Sequence, residues 1–136
     1  DKVARLRGAD VFCAPSLYGE SFGVVLIEAM AADTAIVASG LDGYRNVATD
    51  DVDAILVEPG DVDALAMALR RVLFEPGLST RLQQAGSHRA EDFSMTVLAK
   101  RYAEHYVRLA TSRPRRERPP TRESFWRSWR RRMMAD

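Results

Sequence analysis

The sequence has one cysteine, two histidines and no long apolar run, and each scarcity excludes a class of protein or site. A single cysteine, Cys13, excludes an internal disulfide and fits a reducing compartment. It lies in the apolar run Val11–Pro15, which favours a small core residue over a nucleophile. No stretch is long enough to span a bilayer. The histidines, His88 and His105, are expected on outward-facing helix surfaces and receive no catalytic role.

Charge is nearly balanced over the whole chain, with a formal net charge of +1, but it is distributed unevenly. Residues 1–110 carry 11 basic and 16 acidic side chains, whereas residues 111–136 carry nine arginines and three acids. Only the second range is therefore a candidate for anionic partners. The chain begins Asp1-Lys2-Val3-Ala4, which is neither a translation start nor a signal peptide. We therefore expect the C-terminal piece of a longer protein.

Residues 1–110 alternate short buried strands with stretches of helical period, which predicts an α/β fold with a parallel sheet flanked by helices. Ligands of such sheets bind beyond the carboxyl ends of the strands. The strands are predicted at Val11–Pro15, Thr34–Ser39 and Ile55–Val57. The helices are predicted at Lys2–Gly8, Phe22–Ala32, a single turn Tyr44–Val47, Val62–Leu73 capped by Asp61, a polar outer helix Leu78–Glu91, and Met95–Leu109.

The most informative stretch is Ser16–Ala32, SLYGESFGVVLIEAMAA, in which a turn opens directly into a helix. Tyr18-Gly19 supplies the turn, and Ser21 is a candidate cap for a helix expected from Phe22. Gly23 falls in the first helical turn, where a missing side chain lets another molecule approach the backbone. The first amides of a helix lack internal partners and carry the positive end of its dipole. They therefore favour a phosphate.

Two carboxylates bracket this helix, Glu20 at its mouth and Glu28 eight residues later. At about 1.5 Å per residue they are separated by about 12 Å along the axis. Glycosidase carboxyls stand about 5–10 Å apart, so this pair is better placed to hold two ends of one elongated ligand. A lone carboxylate in an apolar helix needs water or a partner such as a sugar or ribose hydroxyl. Alternatively, Glu20 is a favourable charge near a helix N-terminus and Glu28 lies at the helix edge.

These residues resemble a known motif. Glu20-Ser21-Phe22-Gly23 followed by Glu28-Ala29-Met30-Ala31 is similar to the E-x7-E motif of retaining GT-B glycosyltransferases of family 4, which includes phosphatidylinositol mannosyltransferases. The segment Leu41–Arg45 favours that subgroup. The likeness runs from about Arg5 to Ala110. Flanking runs fit the same pattern in order, at Ala9–Ser16, Ile36–Ser39, Leu56–Asp61 and Asp92–Ser94.

The resemblance implies that residues 1–110 are the Rossmann-like, C-terminal, nucleotide-sugar-binding half of a GT-B fold. It implies that Glu20 is the catalytic-site residue that contacts hydroxyls of the transferred sugar, and that Glu28 binds the ribose hydroxyls. It places four further residues along the sugar and diphosphate: Ser21, Phe22, Gly23 and Val24. Neither a metal nor another cofactor is expected, because the helix dipole would stabilise the leaving diphosphate.

The intact enzyme is expected to transfer a hexose, mannose from GDP-mannose, to a phosphatidylinositol-type lipid with retention. It would be cytoplasmic, peripheral on the inner face of the plasma membrane. This chain alone is expected to be inactive, because the resemblance places the catalytic histidine and the phosphate-gripping Arg and Lys outside it, mostly in a missing N-terminal domain. Two alternatives stay open: a GT-B transferase with another nucleotide sugar or acceptor, and a non-catalytic, membrane-tethered nucleotide-binding module.

Four positions depart from the family pattern, and all lie in turns. Asp33 stands where the family has Gly at a helix end, and Asn46 stands where it commonly has Glu. Asp51 and Ala54 replace the glycines of a D-G-x-x-G loop. Gly accepts a positive φ that other residues tolerate less well, so we expect these changes to lower local stability and activity.

Residues 111–136 differ in character from the rest. Arg, Pro, Ser and Thr dominate as far as Arg122, which predicts a disordered linker. In Ser124–Met134, three apolar residues recur at helical spacing among arginines: Phe125, Trp129 and Met133. Such a helix could lie on an anionic membrane surface, and a solvated basic tail is an equal alternative. Nucleic acid is a less favoured partner.

Overall fold

The structure, a computed structural model, describes residues 1–112. The chain divides into two units, Asp1–Ala99 and Lys100–Asp136. The predicted linker begins at Thr111, but Thr111 and Ser112 are the last residues of the helix Met95–Ser112, which therefore ends later than the predicted Leu109. The rest of the linker and the amphipathic helix predicted within Ser124–Met134 lie outside the described residues, so they stay predictions. Within residues 1–112, no helix combines the length and apolar character that crossing a membrane requires.

A parallel sheet of three strands forms the centre of the first unit, in the order β1-β2-β3. The central strand, β2, is buried along its whole length, because it has a strand on either side and helices over both faces. The predicted α/β class and all three predicted strands are confirmed, with shorter bounds for the first two. The strands are β1 (Phe12–Ala14), β2 (Ile36–Ser39) and β3 (Ile55–Val57).

The helices follow the strands in the predicted alternation. Asp61 caps α4 as expected, since its side chain accepts a hydrogen bond from the Ala64 amide at 2.8 Å. The single turn after β2 begins earlier than predicted, and the helix after β1 is shorter at both ends. The helices are α1 (Lys2–Arg7), α2 (Val24–Met30), α3 (Asp42–Arg45), α4 (Val62–Phe74), α5 (Leu78–Glu91) and α6 (Met95–Ser112).

Two hydrophobic clusters cover the two faces of the sheet. One contains α2 residues and the other contains α4 residues, and both pack against alternate residues of β2. The prediction that α5 lies on the outside is wrong. Its Leu82 is fully buried in the second cluster, and its Gly86 lies against α2, where a Cβ would be 3.2 Å from Met30 Cγ. The sequence of α5 is mostly polar, with small residues such as Gly86 at the contact, so it did not indicate that the helix packs closely against α2.

Two of the departures from the family pattern fall on left-handed backbone. Asp33 has φ 56° and Asp51 has φ 55°. This left-handed conformation is unfavourable for any residue that carries a Cβ atom. Ala54 has no positive φ and is buried in the core, so no strain arises from it. Asp51 also pairs with Arg81 and Arg71, whereas Asp33 is an exposed residue after α2.

Asp33→Gly is expected to increase the free energy of unfolding by about 1 kcal/mol, because glycine removes the left-handed strain. Urea denaturation of the wild type and the variant measures the difference. Asp33→Ala is the matched control, since it removes the same carboxylate but keeps a Cβ, and it should bring no gain. Equal gains from glycine and alanine would show that the charge, not the backbone, is responsible.

Candidate functional site

Two loops at the carboxyl ends of neighbouring strands meet as the parallel topology predicts. The loop after β1 leads to Glu20 and the loop after β2 leads into α3. They touch through Gly43, where an added Cβ would lie 2.4 Å from the Glu20 carbonyl oxygen. The hydroxyls of Ser16 and Tyr44 are 3.2 Å apart across the same contact. The backbone that carries Glu20 is therefore supported directly by α3.

Glu20 turns back onto its own loop. Its Oε1 accepts hydrogen bonds from the Gly23 amide at 2.9 Å and the Phe22 amide at 3.2 Å. The Gly23 amide first, and then the Phe22 amide, hold the pKa of Glu20 below its ordinary value of 4.5. Glu20 is therefore ionised at neutral pH, so it can accept hydrogen bonds from hydroxyls but is not a general acid there.

Two predictions about the helix start are wrong. The N-cap is Gly23, with φ 92° and no side-chain cap bond, so Ser21 does not cap and α2 begins at Val24 rather than Phe22. The amides of Phe22 and Gly23, expected to be open to a phosphate, are engaged by Glu20. The positive φ of Gly23 interrupts the helical run that the apolar sequence predicted.

Gly23 is buried, and the space that its missing side chain leaves is taken by the protein. A Cβ there would lie 3.1 Å from Tyr44 Cδ1 and 3.4 Å from Val47 Cγ2. The expected close approach of another molecule at this Cα is therefore replaced by internal packing. Phe22 and Val24 on either side are 44% and 55% exposed, so the surface of this segment is formed by their side chains.

Glu28 has an ionic partner that the sequence did not indicate. Lys2 Nζ on α1 donates a hydrogen bond to Glu28 Oε2. The Glu28 side chain is 40% exposed and lines a depression of about 210 Å³ between α1 and α2. Because 26 residues separate the two partners, only the packing of these helices reveals the pair. The other residues that line this depression are Val3, Leu6, Ala31 and Ala32.

The structure thus separates the predicted site into two parts. Glu20 accepts hydrogen bonds from the Phe22 and Gly23 amides within the loop that also contains Ser21, while Glu28 pairs with Lys2 of α1 near the other end of α2. Glu20 does not line the depression beside Glu28. The separation agrees with a pair that holds two ends of a long ligand rather than one scissile bond. The role of each residue toward a ligand stays a prediction.

The remaining chemistry-bearing residues are ordinary. Cys13 is partly buried, and burial raises the pKa of its thiol, which disfavours a nucleophilic thiolate. His88 and His105 are exposed, as expected. Within the described part of the chain, no three His, Cys, Asp or Glu side chains are grouped as metal ligands. Independence from metal stays a prediction.

Comparisons with known proteins identify relatives of this arrangement. Residues 1–89 match the family described as glycosyl transferases group 1. A phosphatidyl-myo-inositol mannosyltransferase of Mycobacterium leprae (strain TN) is 45% identical over 111 residues, covering 82% of this chain and 30% of that protein. A D-inositol 3-phosphate glycosyltransferase of Salinispora tropica is 35% identical over 118 residues, covering 81% and 24%. The chain thus spans less than a third of either relative.

Solved structures show the same architecture. Sucrose-phosphate synthase from Thermosynechococcus elongatus superposes with a TM-score of 0.72 at 33% identity, over 80% of this chain and 27% of that one. Anabaena HepE in complex with UDP also gives a TM-score of 0.72, at 21% identity, over 76% and 29%. The second likeness shows the fold alone.

Proposed function

Because this chain belongs to the group 1 glycosyl transferases, we propose that it is the donor-binding domain of an enzyme that transfers mannose from GDP-mannose to a phosphatidylinositol-type lipid. Its parallel sheet and flanking helices are those of GT-B glycosyltransferases. The observation that carries the proposal is the 45% identity to the Mycobacterium leprae mannosyltransferase across 82% of the chain. Residues 1–89, which match the family, include the Glu20–Glu28 segment.

The donor is proposed to lie along α2, with the sugar at Glu20 before the helix begins and the ribose at Glu28 near its other end. Glu20 is ionised and held by two amides, so its carboxylate is oriented to accept hydrogen bonds from sugar hydroxyls. Phe22 and Val24 present exposed surface between the two ends. The depression beside Glu28 is a suitable place for a nucleoside, and Lys2 would release Glu28 when ribose hydroxyls bind.

Catalysis under this proposal is retaining and independent of a metal ion. The whole enzyme would need residues outside this chain, which spans about 30% of the mannosyltransferase relative. We propose that residues 1–110 supply the donor domain and that the basic residues 111–136 hold the enzyme at the inner, anionic face of the plasma membrane. The arginine and aromatic content of that range supports the second part.

A second candidate is a group 1 transferase with another donor or acceptor. It is favoured by the 35% identity to the Salinispora tropica D-inositol 3-phosphate glycosyltransferase, because that name indicates a soluble inositol phosphate acceptor. The two candidates share the donor fold and differ in the nucleotide or the acceptor. A nucleotide comparison with the full-length protein addresses the first difference.

GDP is expected to raise the melting temperature of the full-length protein more than UDP at equal concentration. A ligand that binds only the folded state stabilises it by about 2.7 kcal/mol at a hundred times its Kd. Differential scanning fluorimetry over a concentration series measures the shift. An equal or larger shift with UDP would contradict GDP-mannose as the donor. No shift with either nucleotide would contradict the proposed donor site itself.

A further inference from the structure

The turn that follows α5 contacts the loop between β1 and α2 (residues 15–23, the Glu20 loop) through an aromatic pair. The rings of Phe93 and Phe22 are packed edge to face, with centroids 6.0 Å apart and planes at 80°. Phe22 is also the residue whose amide donates to Glu20 Oε1. A displacement of its ring would therefore move one of the two donors that orient the carboxylate.

Arg89, near the end of α5, connects this pair to the segment that follows α3. Its guanidinium lies 4.9 Å from the centroid of the Phe93 ring. Its Nε donates to the Val47 carbonyl at 2.8 Å, and Nη2 donates to the Asn46 carbonyl at 3.4 Å. Nη1 donates to Asp92 Oδ2 at 3.0 Å, which fixes the orientation of the guanidinium group. Arg89 thereby fixes the segment that follows α3.

Gly23 lies between these two attachments. On one side its neighbour Phe22 is held by Phe93, and on the other its Cα faces Val47 and Tyr44. Of the two hydrogen bonds to Glu20, the one from the Gly23 amide is the shorter. Both donors to the Glu20 carboxylate are thus held in position from the end of α5.

We propose that Phe93 and Arg89 are positioning residues for Glu20, which act by fixing the amides of Phe22 and Gly23. The inference rests on the proposed function for its effect on catalysis, but its geometric part does not. Phe93 also packs against the hydrophobic core, so a purely structural contribution must be separated from positioning. The separation needs a measurement at the two amides and a test of dependence on Glu20.

Phe93→Leu in the full-length protein is the main variant, because leucine keeps the apolar packing but removes the ring. Amide hydrogen exchange at Phe22 and Gly23 is expected to become faster, and kcat to fall about 10- to 100-fold, as a misplaced catalytic group requires. The KM for the acceptor should not change. Phe74→Leu is the matched control, because Phe74 is a 75% exposed residue of α4. It should change neither measurement.

The dependence on Glu20 is tested in a double variant. In a Glu20→Gln background, Phe93→Leu should lower kcat by less than about twofold, because effects on one shared group are not additive. The positioning role would be overturned if the kcat of the double variant fell by the product of the two single losses. It would also be overturned if hydrogen exchange at both amides stayed unchanged. Phe93→Tyr keeps a ring and should retain wild-type exchange and rate. Should Phe93→Leu fail to fold, Arg89→Gln is expected to give the same two effects and tests the inference in its place.

The proposed function can fail separately. If Glu20→Gln alone leaves turnover unchanged, Glu20 has no role in the reaction and the site assignment is lost. The exchange measurement then still decides whether Phe93 holds the Phe22 and Gly23 amides. If Glu20→Gln abolishes turnover while Phe93→Leu changes neither rate nor exchange, the proposed function stands and this inference is overturned.

Discussion

Glu20→Gln in the full-length protein is expected to lower kcat about 100- to 1000-fold, the range measured for loss of one preorganised electrostatic group. The amide of glutamine retains a carbonyl oxygen that can still accept from the Gly23 and Phe22 amides, so the loop should persist. What is lost is the negative charge of the carboxylate that the two amides hold. Steady-state kinetics with GDP-mannose and a phosphatidylinositol acceptor measures the change, with circular dichroism as the check on folding.

Glu58→Gln is the matched control. Glu58 is an exposed glutamate that follows β3 at the same edge of the sheet, so the variant removes the same charge outside the Glu20 loop. Its kcat should stay within about twofold of wild type, as expected of a surface change without a special partner. A Glu20→Gln enzyme with the activity of the Glu58 variant would leave Glu20 with a structural role only.

Acid denaturation gives an independent check on Glu20. Because its folded pKa lies below 4.5, the amide bonds stabilise the folded state at pH values above 4.5. That contribution is lost as the pH falls through the folded pKa. The Glu20→Gln variant should lack this part of the acid-side loss, so its stability should fall less steeply than that of the wild type below pH 4.5.

Glu28→Ala is expected to raise the KM for the donor about 100-fold with a smaller effect on kcat. Hydrogen bonds to a charged group contribute about 1.5–3 kcal/mol each, and about 1.4 kcal/mol corresponds to a factor of ten. The fold should be almost unaffected, since exposed ion pairs such as Lys2–Glu28 contribute about 0–1 kcal/mol. Kinetics at varied donor concentration and a melting curve provide the two measurements.

A charge exchange distinguishes donor binding from ion pairing. In a Lys2→Glu, Glu28→Lys double variant the ion pair can form again in the opposite sense. If Glu28 binds ribose hydroxyls, the double variant should remain as poor in donor KM as Glu28→Ala. Recovery of the wild-type KM would show that the pair only joins α1 to α2, which would contradict the proposed role of Glu28.

The sequence was sufficient for elements whose signals are local. Asp61 before an amphipathic run, and Pro76-Gly77 after it, defined where α4 begins and α5 follows. The buried run TAIVAS indicated the central strand β2, because a strand covered on both faces is apolar throughout. The left-handed backbone at Asp33 was expected because the family pattern has Gly at that helix end.

The candidate site was only partly predictable, because its contacts join residues far apart in the chain. No local sequence pattern indicated that Lys2 pairs with Glu28, or that Gly43 lies against the Glu20 carbonyl. An apolar run of helical length concealed the left-handed backbone of Gly23, which lies against Tyr44. Glu20 and Glu28 became candidates through their resemblance to the E-x7-E motif, and their roles stay predictions, whereas their observed partners depend on tertiary structure.

The central claim is that the segment from Glu20 to Glu28 holds a nucleotide sugar. A crystal structure of the full-length protein with GDP-mannose tests it most directly. The account predicts the ribose hydroxyls within hydrogen-bond distance of the Glu28 carboxylate, with Lys2 displaced, and the mannose hydroxyls at Glu20. A nucleotide bound elsewhere, with Glu28 still paired to Lys2, would contradict it.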